Sequence, residues 1–258
     1  MASVDRLGHE GQKPGMSEPQ FHVMPDATRI AYRCTPGTGP TLVFLPGYMS
    51  DMAGSKAAAV YEWALVQGRT CLLLDYSGCG ESDGEFSAGT LSRWRDQVVA
   101  LITAKCPGPV VLVGSSMGGW LMLLVALAMP VRIAALIGIA AAPDFTDWGY
   151  SAGQKAQLAA GEAVFEANPY GPEPSPTYPA FWRDGQAQRV LEGEITLTCP
   201  VRLLHGQLDA DVPWQTALRL AQALRSADVQ VTLVKDGDHR LSRPSDIALL
   251  LQTIAALG

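Results

Sequence analysis

Residues 110–120 read V-V-L-V-G-S-S-M-G-G-W, an apolar tetrapeptide that runs into a glycine- and serine-rich turn. The segment 110–113 is short and wholly apolar, which suits a strand buried on both faces. From Ser116 to Met129 the residues suit a helix that stops before Pro130. Gly114, Ser116 and Gly118 therefore form a G-x-S-x-G pattern on a strand-to-helix junction. A serine on so sharp a turn holds its Oγ clear of the sheet. The residues two before and two after it must be small, because strand and helix nearly touch there. Gly119 lets the helix lie closer still. An ordinary helix N-cap serine is the competing reading, and partners elsewhere in the chain decide between them.

Working outward, the pattern predicts strands at 28–33, 41–45, 71–75 and 133–140 and helices at 53–66 and 90–105, the latter capped by Thr90. After residue 200 it predicts strand 201–205, helix 213–224, strand 229–234 and helix 244–257. Short apolar strands alternating with helices imply an α/β fold, a mostly parallel sheet with helices on both faces. Residues 144–195 interrupt the alternation with about fifty residues that supply no sheet strand, the length of a functional lid. This insertion has a helical part at 153–167 and a proline-rich part. It also holds eight of the nineteen aromatics, among them Trp148, Phe181 and Trp182, as candidate substrate-binding residues. Such rings either form a small core of the insertion or line an apolar channel. Residues 1–20 are polar, without an apolar run, and read as a flexible tail rather than a secretory signal or transit peptide. The domain proper is expected over 21–258.

A second G-x-S-x-G, G-E-S-D-G at 80–84, follows no strand directly and flanks Ser82 with charges, so it reads as a chance match. Gly78, Gly80 and Gly84 are also misspaced for a dinucleotide-binding turn. Serine is a weak nucleophile without a base, and the base needs an orienting carboxylate. Of four histidines, His9 and His22 precede the serine near the tail. His205 ends the strand L-L-H-G ahead of the late acids and reads as structural. His239 in G-D-H-R, just after the last apolar strand, is the base by position and elimination. Asp209, in the loop after strand 201–205, is the favoured acid, with Asp211 and Asp144 as alternatives. A developing oxyanion needs two backbone donors. The amide of Met117 is one; the amide of Tyr48, in the turn P-G-Y-M after strand 41–45, is the expected other.

Composition bounds the remaining choices. With 48% hydrophobic and 17% charged residues, the chain is globular. A formal charge of -6 argues against nucleic acid and anionic membrane as partners. The longest apolar run, ten residues at 120–129, is half a membrane span and suits a buried helix. Five scattered cysteines, none in a C-x-x-C pair, indicate neither a metal site nor a disulfide framework. Reduced thiols predict a cytoplasmic protein. Cys79, in a glycine-rich loop, is expected to be the more exposed.

The segments F-L-P-G-Y-M-S (44–50), D-Y-S-G (75–78), V-G-S-S-M-G-G-W-L-M-L (113–123), A-L-I-G (135–138), R-L-L-H-G (202–206), V-P-W (212–214) and D-H-R (238–240) together resemble the α/β-hydrolase family. Within it they are similar to the animal mitochondrial enzymes that remove palmitoyl groups from proteins or cleave acyl-glucuronides. The resemblance implies an α/β-hydrolase fold with Ser116 as nucleophile, Asp209 as acid and His239 as base. It implies an esterase or thioesterase acting on a small-molecule ester, an acyl-thioester or an acylated protein, with no cofactor and no metal. A peptidase or carbon–carbon bond hydrolase on the same residues, or a ligand receptor with little turnover, are the competing functions.

Overall fold

The computed structural model describes residues 16–168 and 172–257. Along the chain run β1 (Gln20–Val23), β2 (Arg29–Cys34), β3 (Thr38–Leu45), α1 (Ser55–Val66), β4 (Arg69–Leu74), α2 (Leu91–Lys105), β5 (Val110–Ser115), α3 (Met117–Ala128) and β6 (Ile133–Ile139). Next come α4 (Phe145–Trp148), α5 (Ala152–Ala160), β7 (Val164–Glu166), β8 (Ser175–Thr177) and α6 (Pro179–Ala187). The chain closes with β9 (Val201–Gly206), α7 (Gln215–Ala223), β10 (Val229–Val234) and α8 (Pro244–Ala255). Eight strands form one sheet in the order β1-β2-β4-β3-β5-β6-β9-β10. From β4 to β10 every pairing is parallel, while β2 pairs antiparallel with both β1 and β4.

Side-chain alternation explains why the buried parts of the central strands β3, β4 and β5 are apolar on both faces. Val43, Leu45, Leu72, Leu74 and Leu112 face one layer, where they pack with Trp94 and Leu101 of α2, Trp120 of α3 and Leu220 of α7. Their neighbours Leu42, Phe44, Leu73, Val111 and Val113 face the other layer, against Val60 and Tyr61 of α1 and Leu250 and Ile254 of α8. A strand covered on both faces has no polar side to show. Every residue of α3 from Met117 to Ala126 is buried, as the ten-residue apolar run predicts for a core helix. Among the described residues no helix is long and apolar enough to cross a membrane. Thr90 caps α2, its side chain accepting from the Arg93 amide at 3.1 Å.

Two local expectations fail, and one strand goes unannounced. Edge strand β1 is only four residues long and its apolar Phe21 and Val23 stay largely exposed, so it carries no buried run. Of the tail expected over 1–20, residues 1–15 lie outside the described residues. The rest is anchored, with the Ser17 carbonyl accepting from Arg33 Nε at 2.7 Å and its hydroxyl 2.9 Å from that of Tyr61. The helix expected over 153–167 stops at Ala160, where Gly161 takes a left-handed φ of 95°. Residues 164–166 instead pair antiparallel with 175–177 in a small hairpin that propensity does not reveal.

The five cysteines form no disulfide. Cys79 is buried rather than exposed, because its glycine-rich loop folds inward under Tyr76 and Asp75. Burial pushes the thiols of Cys71, Cys79 and Cys106 up, Cys79 to about 12 and Cys106 to about 11. A thiol-reactive disulfide reagent at pH 8 is therefore expected to miss these three in the native protein and to titrate all five cysteines after denaturation. Rapid native reaction at any of the three would contradict the packing.

Candidate active site

The C-terminal ends of the parallel strands β3, β5, β9 and β10 open on one edge of the sheet, where ligands bind in open α/β folds. Ser116 follows β5 directly and sits at φ 54°, ψ −119°, a conformation that costs a non-glycine residue free energy. Close packing imposes it. A Cβ on Gly114 would lie 2.3 Å from the Gly118 carbonyl oxygen, and one on Gly118 would lie 2.0 Å from that of Leu45. A Cβ on Gly119 would meet the Ala141 side chain at 2.5 Å. The Ser116 amide donates to the Ile139 carbonyl at 2.9 Å, tying the turn to β6.

Ser116 Oγ donates to His239 Nε2 at 3.0 Å. His239 Nδ1 in turn donates to Asp209 Oδ2 at 2.9 Å. The two loops that bring acid and imidazole together are pressed backbone to backbone, since a Cβ on Gly206 would lie 2.2 Å from the Gly237 carbonyl oxygen. Leu208 N–H donates to that same carbonyl at 2.9 Å. From the other side Lys56 donates to the Arg240 carbonyl. Burial, with the Arg240 charge adding to it, brings the Lys56 ammonium down to about 8.

The Asp209 side chain is inaccessible to solvent. Burial pushes its carboxyl up, but hydrogen bonds from His205 and His239 outweigh that and hold it well below the usual carboxylate range. The Asp211 and Val212 amides add bonds to Oδ1 at 2.9 and 2.8 Å. Such a group can orient an imidazole and balance its positive charge without taking its proton. The chain order of serine, acid and histidine across one sheet edge is thus accompanied by direct contact. A model of the alpha/beta hydrolase family matches residues 42–250.

The chain belongs to the alpha/beta hydrolase family. It is 42% identical over 230 residues to "Palmitoyl-protein thioesterase ABHD10, mitochondrial" of Mus musculus, covering 87% of this chain and 77% of that protein. The structure of alpha/beta hydrolase domain-containing protein 10 from mouse superposes with a TM-score of 0.87 at 37% identity, covering 93% of this hydrolase and 98% of that chain. A putative hydrolase from Agrobacterium vitis S4 gives a TM-score of 0.87 at 38% identity over 93% and 99% of the two chains. The mitochondrial designation of the mouse relative, repeated for its human counterpart, overturns the expectation of a cytoplasmic protein. Scattered cysteines without a disulfide do not say which compartment holds a protein.

In this hydrolase the relay opens into a cleft of about 620 Å³, flanked by Tyr48, Met49, Phe145, Trp148 and Tyr150. Met117 and the turn around Tyr48 border the cleft beside Ser116. The Met117 amide begins α3 and so has no acceptor within its own helix. A Cβ on Gly47 would lie 3.4 Å from Ser116 Cβ, which shows how closely that turn passes the serine.

Of the three lid aromatics singled out from sequence, only Trp148 flanks the cleft. Phe181 is fully buried, packed against Tyr48, Trp94 and Phe145 at 4.9, 5.7 and 5.8 Å. Trp182 is spent on structure, its indole N–H donating to the Thr146 carbonyl at 3.0 Å. Phe145 and Tyr150, which belong to the same eight aromatics but were not among the three singled out, also flank the cleft, at the start of the insertion where it leaves β6.

The other candidates are placed differently. Asp144 is buried at φ 59° and accepts from the Val190 and Leu191 amides at 2.8 Å each, stapling the two ends of the insertion. Asp211 lies beside the relay, but its amide serves Asp209. Ser82 accepts from the Ala31 amide at 2.8 Å and donates to the Asp75 carbonyl at 2.7 Å, a loop anchor. The glycine contacts set an expectation. Gly118→Ala destabilises by about 3 kcal/mol, the upper end for overpacking, because the obstructing atom is a backbone oxygen that cannot step aside. Thermal denaturation should show a melting temperature lower by roughly 10 °C; an unchanged value would mean that strand and helix do not touch as described.

Proposed function

We propose that this hydrolase cleaves carboxylic thioesters and esters through an acyl-enzyme on Ser116. The uninterrupted contact from Ser116 Oγ to His239 Nε2, and from His239 Nδ1 to Asp209 Oδ2, is the observation that supports the reading. His239 takes the hydroxyl proton as Ser116 attacks the acyl carbon, and Asp209 balances the charge that forms on the ring. The amides of Met117 and Tyr48 stabilise the negative charge that appears on the carbonyl oxygen. Collapse of the tetrahedral intermediate expels the thiol or alcohol, which leaves with the proton held by His239. Water then enters, gives a proton to His239 and releases the carboxylic acid by the same route. The scheme uses side chains, amides and water, and calls on no cofactor.

Residues 144–195 serve as the lid, and Phe145, Trp148 and Tyr150 form its apolar wall over the acyl group. Aromatic walls bind hydrocarbon by removing it from water, at about 0.8 kcal/mol for each buried CH₂. Together with the name of the mouse relative, this favours S-acyl thioesters with long chains, including acylated proteins. A peptidase or carbon–carbon bond hydrolase would need a different leaving group in the same cleft. Turnover of acyl-thioesters over matched peptides, rising with acyl length, is the expected result; preference for the peptide would reject the thioesterase reading.

A fluorophosphonate probe should label the native protein stoichiometrically at Ser116, and Ser116→Ala should abolish labelling without unfolding the protein. No labelling of the wild type would instead favour a ligand receptor of this fold. Asp209→Asn is expected to lower kcat by about 10³–10⁴-fold, through loss of the tautomer that presents Nε2 to the serine. Steady-state kinetics on a chromogenic ester would check it, and full activity would move the acid elsewhere.

A further inference from the structure

His205, the penultimate residue of β9, takes no direct part in the proposed reaction, yet its placement is unusual for a core side chain. The ring is completely buried. Its Nε2 lies 3.0 Å from Asp209 Oδ2 and 3.0 Å from the Val212 carbonyl oxygen, two acceptors that share its single N–H. A proton therefore resides on Nε2. Its Nδ1 has no hydrogen-bond partner among the described residues. A leucine of similar size would fill the space without an unpaired nitrogen, so packing alone does not account for an imidazole here.

We infer that His205 is a positioning residue that fixes the Asp209 carboxylate for His239. The inference rests on the assignment of Asp209 as the acid of the relay. Asp209 Oδ2 receives two ring N–H groups, one from each histidine, at 3.0 and 2.9 Å. Oδ1 meanwhile receives the two amides of the loop that follows. With one lone pair of Oδ2 taken by His205, the other is left aimed at His239 Nδ1, and rotation about the Cβ–Cγ bond would break bonds at both oxygens. The second acceptor of His205, the Val212 carbonyl, ties the far end of the acid loop back to the strand from which it departs. One side chain thus holds both the carboxylate and the turn that carries it. The two histidines differ in what lies beyond them: His239 faces Ser116 and the cleft, whereas His205 faces only the interior.

The test compares His205→Leu with His205→Gln, whose amide nitrogen can take the place of Nε2, using a chromogenic acyl ester and fluorophosphonate capture. His205→Leu is expected to lose about 10–100-fold in kcat, a loss of the size seen when hydrogen-bonded outer partners of metal-ligating groups are removed, with KM nearly unchanged. His205→Gln should recover most of that loss. In an Asp209→Asn background His205→Leu should cost nothing further, since the two act through one carboxylate. Melting curves report whether each variant is folded, and His205→Asn, too short to reach Oδ2, replaces His205→Leu in every arm if the latter does not fold. Wild-type kcat in the Leu variant, equal damage by Leu and Gln, or a fully additive loss in the double variant would each overturn the positioning role. Retained capture by Ser116→Ala would instead defeat the assignment of the nucleophile, a separable outcome.

Discussion

Where β5 gives way to α3, two pieces of backbone come closer than any side chain would allow, with Gly118 against the Leu45 carbonyl and Gly114 against Gly118. That contact leaves Ser116 a single route between strand and helix, through a positive φ with its side chain turned outward. The conformational cost is carried by the packing of a helix buried on all sides, which cannot relax by moving away from the sheet. Everything at the site is arranged around that fixed hydroxyl. The turn after β3 passes alongside it, and the loops after β9 and β10 deliver carboxylate and imidazole from beyond it.

Those later loops face a different difficulty, a carboxylate sealed from solvent. An ionised group in such a place must have its lone pairs satisfied, and Asp209 gathers four donors from three directions. Burial and bonding oppose one another there, and the bonds prevail. The charge is therefore held rigidly next to His239 rather than being quenched by a proton. Close backbone contact between Gly206 and Gly237 supplies the matching restraint on the imidazole side.

How much of this could be read in the sequence depended on the range of the forces involved. The parallel strands were legible because burial on two faces leaves uninterrupted runs such as 110–113, and the Ser116 turn because steric demand prints glycine at fixed positions. Contact between Ser116, Asp209 and His239 follows once those strands are placed side by side. The half-exposed β1, with its mixed Q-F-H-V, leaves no such mark. Nor does the hairpin of β7 and β8, in which Phe165 stays exposed and Pro176 breaks the usual strand chemistry. Phe181 and Trp182 have the same composition as cleft residues, and only helix phase in α6 turns them toward the core. His205 read as structural because its partner lies four residues away across a loop reversal, a contact that spacing alone does not reveal.

The hydroxyl of Tyr48 donates to the Pro176 carbonyl at 2.9 Å, joining the turn beside the serine to the hairpin of the insertion. Burial keeps that phenol protonated by pushing it far above its ordinary range. The acceptor belongs to the main chain, so the hairpin can change its side chains across evolutionary time and still offer the same oxygen. The donor has no such freedom: a substitution at position 48 that removes the hydroxyl would break this tie, leaving the insertion held by others such as the Asp184 carboxylate on Ser92. The side chains of the hairpin can therefore vary while this tie to the turn beside the serine is kept.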